Sequence, residues 1–232
     1  MSRKTVQPVP SPGLAARVQE VLGRYWYATL WCVCWAIARV WFRFQSAGRD
    51  YVPRTGPVLV LSNHQSNLDP VLVGIACPRQ LRFLAKKSLF FWPLSWWIRA
   101  LGAVPLDLEG SAISGLKTTL RLLREQEAVL VFPEGSRAPD GRLQPLKAGF
   151  CPLARRSQAT IVPAVIDGAF GSLPRRAVFP RPVRIRVAFG PPIAPTELAA
   201  LSDDELVQLV AARFAAVGLS RTEKVAECTS AC

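Results

Sequence analysis

The sequence predicts a mixed α/β fold, in which a largely parallel sheet is flanked by helices and preceded by an N-terminal membrane-associated helical segment. The first observation is that short apolar runs rich in β-branched residues alternate with helical patterns from about residue 57 onward. The second is that two of these runs end in polar clusters, where sites form in parallel sheets. The third is a tryptophan-rich, uncharged stretch at residues 25–38.

The chain is both basic and apolar. Its 232 residues include 29 Lys and Arg against 16 Asp and Glu, a formal net charge of +13, and 50% of them are hydrophobic. This composition suits an anionic membrane, although nucleic acid would also attract the excess charge. The single histidine, His64, excludes a site built on several imidazoles, a histidine phosphorelay and an HExxH protease. The six cysteines show no CxxC pair or zinc spacing, which predicts reduced thiols and no metal.

The N-terminal region divides into a flexible leader at residues 1–13 and helices at residues 14–48 that we expect to anchor the chain to a membrane. The fourteen residues from Tyr25 to Ala38 carry no charge and give about 21 Å of helix, against a hydrocarbon core of roughly 30 Å. This length favours a helix that lies in the membrane surface. The alternatives are a span extended through Phe44 by snorkelling arginines, and a buried core helix.

All seven tryptophans lie in two clusters within the first hundred residues. One cluster falls in the N-terminal helical region, and the other falls in Leu89–Ile98, which follows three cations: Arg82, Lys86 and Lys87. Cations followed by aromatic residues suit an anionic lipid surface, because tryptophan prefers the boundary between water and lipid. Packing inside a protein core is the alternative for each ring.

The predicted α/β region consists of strands that alternate with helices. Strands are expected at Val58–Ser62, Ala128–Phe132, Ile161–Ile166 and Val183–Phe189. The last of these alternates apolar residues with arginines, which predicts a half-exposed strand with a basic face formed by Arg184 and Arg186. Helices are expected at Pro70–Ala76, at residues 110–126 and at Thr196–Val217.

His64 and Asp69 follow the first of these strands and are separated by four residues. On one continuous helix their side chains would diverge by roughly 140°, so they can meet only across a turn. Pro70 fits the start of a helix, which makes Asp69 the predicted N-cap and leaves residues 64–68 as a loop. The aspartate can then accept a hydrogen bond from one imidazole nitrogen and leave the other free as a base. The alternatives are an Asp69 that only caps the helix and a structural histidine.

A second polar cluster, Phe132-Pro133-Glu134-Gly135-Ser136-Arg137, follows the strand at Ala128–Phe132. Its arginine stands after a glycine turn at the end of a strand, where a guanidinium can hold a phosphate with two hydrogen bonds. Taken alone, a Pro-Glu-Gly-Ser turn is common. Its position after a buried strand, in order behind the His64 cluster, is what makes it informative.

Together these residues resemble the glycerolipid acyltransferase family, which includes the membrane-bound 1-acylglycerol-3-phosphate acyltransferases. The resemblance covers about residues 50–190. The family's first motif, Asn-His-x4-Asp, corresponds to Asn63, His64 and Asp69. Its third motif corresponds to Phe132–Arg137 and its fourth to Val162-Pro163. Two motifs in this order, each after a strand, form a specific signal.

The second motif of the family is only partly present. Leu108 stands where the family has an arginine that helps to bind the acceptor phosphate, which leaves the identity of the acceptor open. Lys86, Lys87 or Arg137 could supply the missing charge. The segment Lys147-Ala148-Gly149, shortly after the third motif, is similar to the family.

The resemblance implies that residues 49–232 form an acyltransferase α/β domain. The reaction it implies moves a fatty acyl group from acyl-CoA or acyl-carrier protein to the hydroxyl of a lysophospholipid, first of all 1-acylglycerol-3-phosphate, to give phosphatidate. His64 would be the general base and Asp69 would orient it. The glutamate of the third motif would order its loop or contact acceptor hydroxyls, and the arginine would hold the phosphate. The residues expected to bind substrate are Glu134, Gly135, Ser136 and Arg137.

No cofactor or metal is expected, because the acyl donor is itself a substrate and no acyl-enzyme is required. The expected partners are anionic membrane lipids, the lysophospholipid acceptor and the acyl carrier, with no nucleic acid. The expected location is the cytoplasmic face of the inner or plasma membrane. The alternatives are another lysolipid or an alcohol as acceptor, a hydrolase that uses the same base on water, and a non-enzymatic basic membrane- or lipid-binding protein.

Overall fold

The computed structural model describes residues 14–92, 94–106, 112–174, 177 and 179–229. The leader predicted at residues 1–13 and the second-motif residue Leu108 lie outside these ranges. Within them, one sheet contains the strands β1 (Gln45–Ala47), β2 (Val58–Ser62), β3 (Leu81–Lys86), β4 (Ala103–Leu106), β5 (Ala128–Val131), β6 (Thr160–Asp167) and β7 (Arg186–Phe189). The α-helices in these ranges are α1 (Leu14–Trp41), α2 (Asp69–Ala76), α3 (Leu94–Ala100), α4 (Ala112–Arg124), α5 (Cys151–Ser157), α6 (Ala169–Ser172), α7 (Pro195–Leu198) and α8 (Asp203–Thr229).

The strands follow the order β1-β7-β6-β2-β5-β3-β4 across the sheet. The strands from β2 to β6 run parallel to one another, whereas β7 runs antiparallel to β6 and β1 runs parallel to β7. The predicted mixed, largely parallel sheet flanked by helices is therefore confirmed. We refer to the edge at which β2 to β6 end as the carboxyl edge. Asp167 at the end of β6 pairs with Arg186, which also pairs with Gln45, so β7 and β1 both begin at this edge.

Helices cover both faces of the sheet. Side chains of β2 alternate between the faces, so that Val60 packs in one hydrophobic core and Leu59 in the other. The first core contains Ala38 of α1 and Leu72 of α2, and the second contains Leu206 of α8. Because β2 is buried on both faces at the centre of the sheet, the loop that follows it starts from a rigid support.

The strand predicted at Val183–Phe189 is shorter in the structure, because β7 begins only at Arg186. Ile185 donates its backbone N–H to the carbonyl of Phe42, just after α1, at 3.0 Å, and its own carbonyl accepts the N–H of Gln45 at 3.1 Å. Arg184 is exposed, whereas Arg186 is partly buried. The residues before β7 therefore bind the connection between α1 and β1 instead of extending the sheet.

The helix predicted at Thr196–Val217 consists of two helices, α7 and α8. Ser202 explains the break, because its hydroxyl accepts the N–H of Glu205 at 3.3 Å while the Glu205 carboxylate accepts the N–H of Ser202 at 2.7 Å. This reciprocal pair is a capping box that starts a new helix. The helix predicted at residues 110–126 is present as α4, which is a few residues shorter.

The N-terminal region forms a single long helix, α1, followed by β1 within the sheet. Leu30 and Ala38 of α1 are buried, whereas Ile37 and Val40 are exposed. None of the helices in the described residues is both long enough and apolar enough to cross a membrane. The helix therefore packs on the α/β domain through one side and presents apolar residues on another.

Candidate active site

The loop after β2 brings His64 and Asp69 into contact. His64 Nδ1 lies 2.8 Å from Asp69 Oδ2, so the hydrogen bond predicted across the turn is present. Asp69 is fully buried, and the same Oδ2 accepts the backbone N–H groups of Gln65 at 2.6 Å and Ser66 at 2.7 Å. Because Asp69 Oδ2 is the acceptor for both backbone N–H groups, we assign the imidazole proton to Nδ1, which then donates to the same oxygen. Nε2 has no hydrogen-bond partner in the described part of the chain and is free to act as a base.

The predicted role of Asp69 as the N-cap of α2 is wrong. The helix begins at Asp69 itself, Leu68 holds the cap position, and no side chain caps the helix. The carboxylate turns back toward the loop, because the N–H groups of that loop and the imidazole supply its donors. The carboxylate therefore fixes the loop that carries His64 instead of stabilising the helix.

Asn63 ties the end of β2 to the end of β6. Its side-chain Nδ2 donates to the carbonyl of Ile166 at 2.9 Å, and its Oδ1 accepts the N–H of Ile166 at 2.8 Å. Both residues are buried, so this pair of bonds continues the ladder between neighbouring strands through a side chain. Sequence reasoning placed Asn63 in the first motif but did not foresee this role, since its partner lies 103 residues away.

Glu134 joins the loop after β2 to the loop after β5. Its Oε1 accepts the N–H of His64 at 2.6 Å, and its Oε2 accepts the N–H of Gln144 at 2.9 Å. The side chain is almost completely buried, and this burial raises the pKa of the Glu134 carboxyl above its ordinary value of 4.5. Because both oxygens already accept hydrogen bonds from the protein, the geometry fits an ordering role for Glu134. Sequence reasoning missed Gln144.

Phe132 and Ala138 hold the histidine from the other side. The Phe132 ring stacks on the imidazole with centroids 3.9 Å apart and planes inclined by 14°. The carbonyl of His64 accepts the N–H of Ala138 at 2.7 Å. The ring is thus fixed through Nδ1, through its face and through its own backbone, which is the preorganisation that a catalytic base requires. The motif pattern contained Phe132, but nothing in the sequence assigned it to the histidine.

Gly135 and Lys147 lie together beside this loop. Gly135 has a φ of +75°, and a Cβ placed there would stand 3.0 Å from Lys147 Nζ. The glycine therefore permits both the turn and the close approach of the lysine side chain. Gly135 and Ser136 are exposed and Arg137 is partly exposed, so these three residues lie at the surface, between Glu134 and Ala138, which both bond to the backbone of His64.

Metal ligands do not cluster elsewhere in the described residues. These residues contain no group of three or more His, Cys, Asp or Glu side chains that could hold a metal ion. Cys32, Cys34, Cys77 and Cys151 are free thiols. Burial raises the pKa of Cys151 to about 11 and also raises the pKa of Cys77, which keeps both thiols protonated and unreactive at neutral pH.

The fold and this site define an α/β protein with a histidine–aspartate pair at the carboxyl edge of its sheet. The Acyltransferase family model matches residues 43–167, more than half of the chain, and the chain belongs to this family.

The chain is also similar to individual proteins. It is 32% identical over 173 residues to a mouse protein named 1-acyl-sn-glycerol-3-phosphate acyltransferase alpha. The matched residues cover 69% of this chain and 60% of the mouse protein. A protein of Limnanthes alba named 1-acyl-sn-glycerol-3-phosphate acyltransferase is 31% identical, over 66% of this chain and 56% of its own length. The chain thus spans less than two thirds of these relatives. The crystal structure of the 1-acyl-sn-glycerophosphate acyltransferase PlsC from Thermotoga maritima has the same fold, with a TM-score of 0.74, 24% identity, and coverage of 88% of this chain and 83% of that one.

Proposed function

We propose that this protein is an acyltransferase that moves a fatty acyl group from acyl-CoA or acyl-carrier protein to the hydroxyl of a lysophospholipid. The acceptor proposed first is 1-acylglycerol-3-phosphate, which would give phosphatidate in phospholipid synthesis. The observation that carries the proposal is the imidazole of His64, which Asp69 holds through Nδ1 while Nε2 stays free. Membership of the acyltransferase family and the names of the relatives support the choice of substrates.

In the proposed reaction, Nε2 of His64 takes the proton of the acceptor hydroxyl as the oxygen attacks the thioester carbonyl of the donor. The tetrahedral intermediate collapses to the new ester, the carbon–sulfur bond breaks, and the thiolate leaves and receives a proton from the imidazolium. Asp69 stabilises the imidazolium and keeps the ring in the required tautomer. A positioned base supplies roughly 10² to 10⁴ in rate, so orientation of the two substrates must provide much of the remainder.

The third motif is proposed to bind the acceptor. Arg137 would hold the phosphate, and Gly135 and Ser136 would line its approach, since all three lie at the surface beside the histidine loop. Lys147, whose amine approaches Gly135, adds a positive charge at this place. Glu134 would act on the acceptor through the loops that its two oxygens connect.

The protein is proposed to work on an anionic membrane, at its cytoplasmic face. Support comes from the large apolar side chains that α1 and the segment around α3 expose, including Trp26, Val40 and Trp92. Ring contacts between Trp26 and Trp96, with centroids 4.9 Å apart, join the two tryptophan clusters into one aromatic surface. The proposed reaction needs no cofactor, no metal and no nucleic acid.

The experiment that tests the function is mass spectrometry of the products formed by the purified protein. The protein is given a panel of lysolipids and simple alcohols, each with acyl-CoA or with acyl-carrier protein. Appearance of phosphatidate from 1-acylglycerol-3-phosphate supports the proposal. A different acylated lipid would identify another acceptor, and Leu108 leaves that identity open because it stands where the family has a phosphate-binding arginine. Release of free fatty acid alone would indicate a hydrolase, and no product at all would favour a lipid-binding protein.

A further inference from the structure

The connection between β6 and β7, residues 168–185, lies at the same edge of the sheet as His64. The register that pairs Asp167 with Arg186 places both ends of this connection at the carboxyl edge. The connection also contacts the histidine loop directly, because the hydroxyl of Ser66 donates to the carbonyl of Leu173 at 3.3 Å. Whatever this connection binds is therefore brought next to the candidate active site.

Phe179 stands out from this connection with 82% of its surface exposed. The neighbouring backbone is nevertheless well supported, since Trp41 Nε1 at the end of α1 donates to the carbonyl of Pro180 at 3.2 Å. Arg181 forms two further bonds with Ser172, from its N–H to the Ser172 carbonyl at 2.8 Å and from the Ser172 hydroxyl to its carbonyl at 3.1 Å. A single exposed phenylalanine is ordinary at a protein surface, so its meaning depends on the apolar residues that it adjoins.

The exposed phenylalanine continues an apolar stripe along α1. At 100° per residue, Trp26, Val33, Ile37 and Val40 fall within an arc of about 60° on the helix, and all four are exposed. Trp41 lies beside the end of this stripe and lines a shallow apolar depression with Ile37 and Val40. Because Trp41 also binds Pro180, the stripe of about 22 Å runs from the aromatic cluster at Trp26 to Phe179.

The charge of the connection is uniformly positive. Between residues 173 and 184 the sequence contains four arginines and no acidic residue. Of these, Arg181 and Arg184 are described, and both are exposed. Cations around an exposed aromatic ring match the headgroups and the outer acyl region of an anionic bilayer. An acidic protein surface would account for the arginines but not for the apolar stripe that Phe179 continues.

We propose that Phe179 and the arginines beside it form a second membrane contact, which docks on an anionic bilayer together with the stripe of α1. The contact would hold the carboxyl edge, and with it His64, at the lipid surface where a lysolipid acceptor resides. The inference depends on the proposed function only for the identity of that acceptor. Binding of the bilayer itself needs no turnover.

The test is sedimentation of the purified full chain with phosphatidylcholine vesicles that contain or lack phosphatidylglycerol, with no acyl donor or acceptor present. We expect Phe179→Ser to weaken binding about tenfold, because it removes the burial of one aromatic side chain. We expect R181Q/R184Q to weaken binding to the anionic vesicles roughly fivefold per arginine and to leave binding to neutral vesicles unchanged. Phe179→Trp should retain binding. The matched control is Ile113→Ser, because Ile113 is 60% exposed but lies on α4, which packs on the other face of the sheet.

The outcomes separate this inference from the function. Vesicle binding by Phe179→Ser equal to that of the unmodified chain, at equal thermal stability, would overturn it. An equal loss of vesicle binding in Ile113→Ser would also overturn it. The same holds if R181Q/R184Q binds acyl-carrier protein more weakly but binds vesicles as the unmodified chain does. If the unmodified chain forms no acylated lipid but Phe179→Ser still loses vesicle binding, the proposed function fails and the membrane contact stands.

Discussion

The loops at the carboxyl edge and the outer face of α1 depart from the usual distribution of residues in opposite directions. At the carboxyl edge, polar side chains are buried, namely Ser62, Asn63, Gln65, Ser66, Asp69 and Glu134. Along α1 and around α3, large apolar side chains are exposed, among them Trp26, Ile37, Val40, Trp92 and Trp96. Folded proteins normally limit unpaired buried polar groups and large exposed apolar patches, because both carry a cost in hydration free energy.

The two regions differ in what offsets the cost of burying polar groups or exposing apolar ones. Asp69 and Glu134 each accept two hydrogen bonds from backbone N–H groups, which offsets much of the cost of burying these carboxylates, although Asp69 Oδ1 and Gln65 Oε1 are buried without a partner in the described residues. The apolar residues of α1 form a stripe that the described residues leave uncovered, and a bilayer is the cover that we propose for it. We therefore propose that the first region fixes the geometry for chemistry and that the second provides a surface for binding. Substitutions in the two regions should separate these effects.

The largest expected effect is on chemistry alone. We expect His64→Ala to lower the rate of acyl transfer by about 10² to 10⁴, because it removes the base, and to leave vesicle binding unchanged. Product formation and vesicle sedimentation measured on the same preparation check this. Near-normal turnover in His64→Ala would overturn the proposed mechanism.

A second large effect concerns the stability of the site. We expect Asn63→Ala to lower the free energy of unfolding by about 1–3 kcal/mol for each backbone group of Ile166 that it leaves buried and unpaired. Denaturant unfolding measures the change, with His64→Ala as a comparison that leaves this pair of bonds in place. A change of only a few tenths of a kcal/mol would show that the loop does not depend on this contact.

Substitutions in the apolar stripe of α1 should impair vesicle binding and spare the chemical step. We expect I37S/V40S to weaken vesicle binding by about tenfold or more, because it removes two apolar side chains from the lipid surface, while turnover of a short-chain, monomeric acceptor is retained. Comparing turnover on monomeric and vesicle-bound acceptor measures both effects. Equal losses on the two forms of acceptor would contradict a membrane role for the stripe.

Arg137 tests whether the surface part of the site binds the acceptor. We expect Arg137→Gln to raise the KM for the acceptor by roughly tenfold, the value of one or two charge-assisted hydrogen bonds, and to leave the KM for the acyl donor almost unchanged. Steady-state kinetics with each substrate varied in turn provide the measurement. Equal losses for both substrates would indicate a structural role instead.

The smallest expected effect is a dependence of stability on pH. Burial raises the pKa of Glu134 above 4.5 in the folded state, so the folded chain holds this proton to higher pH than the unfolded chain. The stability that this group contributes is therefore fully present below pH 4.5 and is lost as the pH rises through the folded-state pKa. The free energy of unfolding is measured for the unmodified chain and for Glu134→Gln at several pH values from below 4.5 upward. It should decline with rising pH only in the unmodified chain. A parallel pH dependence of the two would contradict this assignment.

Much of the local structure could be predicted because it depends on neighbours in sequence. The strand predicted at Val58–Ser62 is present with the same bounds, since a run of buried β-branched and leucine residues has only one place in a parallel sheet. The contact between His64 and Asp69 could be predicted from their spacing in sequence and from Pro70, which marks the start of a helix. The predicted cap role of Asp69 is wrong, because two backbone N–H groups of its own loop bind the carboxylate instead.

The remaining features of the site depend on the order of the strands. Glu134 meets His64 because β5 lies next to β2, and Asn63 meets Ile166 because β6 lies on the other side of β2. These partners are 70 and 103 residues apart, and no periodic pattern encodes such a distance. The strand order decides which loops share the carboxyl edge.

The sequence by itself determined the strands β2, β5 and β6, the helices α2 and α4, the single histidine and the family motifs, because these depend on side-chain chemistry and short-range spacing. Only the tertiary structure decided that the carboxylate of Glu134 supports the His64 backbone, that Phe132 stacks on the imidazole, and that α1 buries one side and exposes another. The physical reason is the same in each case. Burial and hydrogen bonding are properties of the packed chain, and packing brings together residues whose positions in sequence are unrelated.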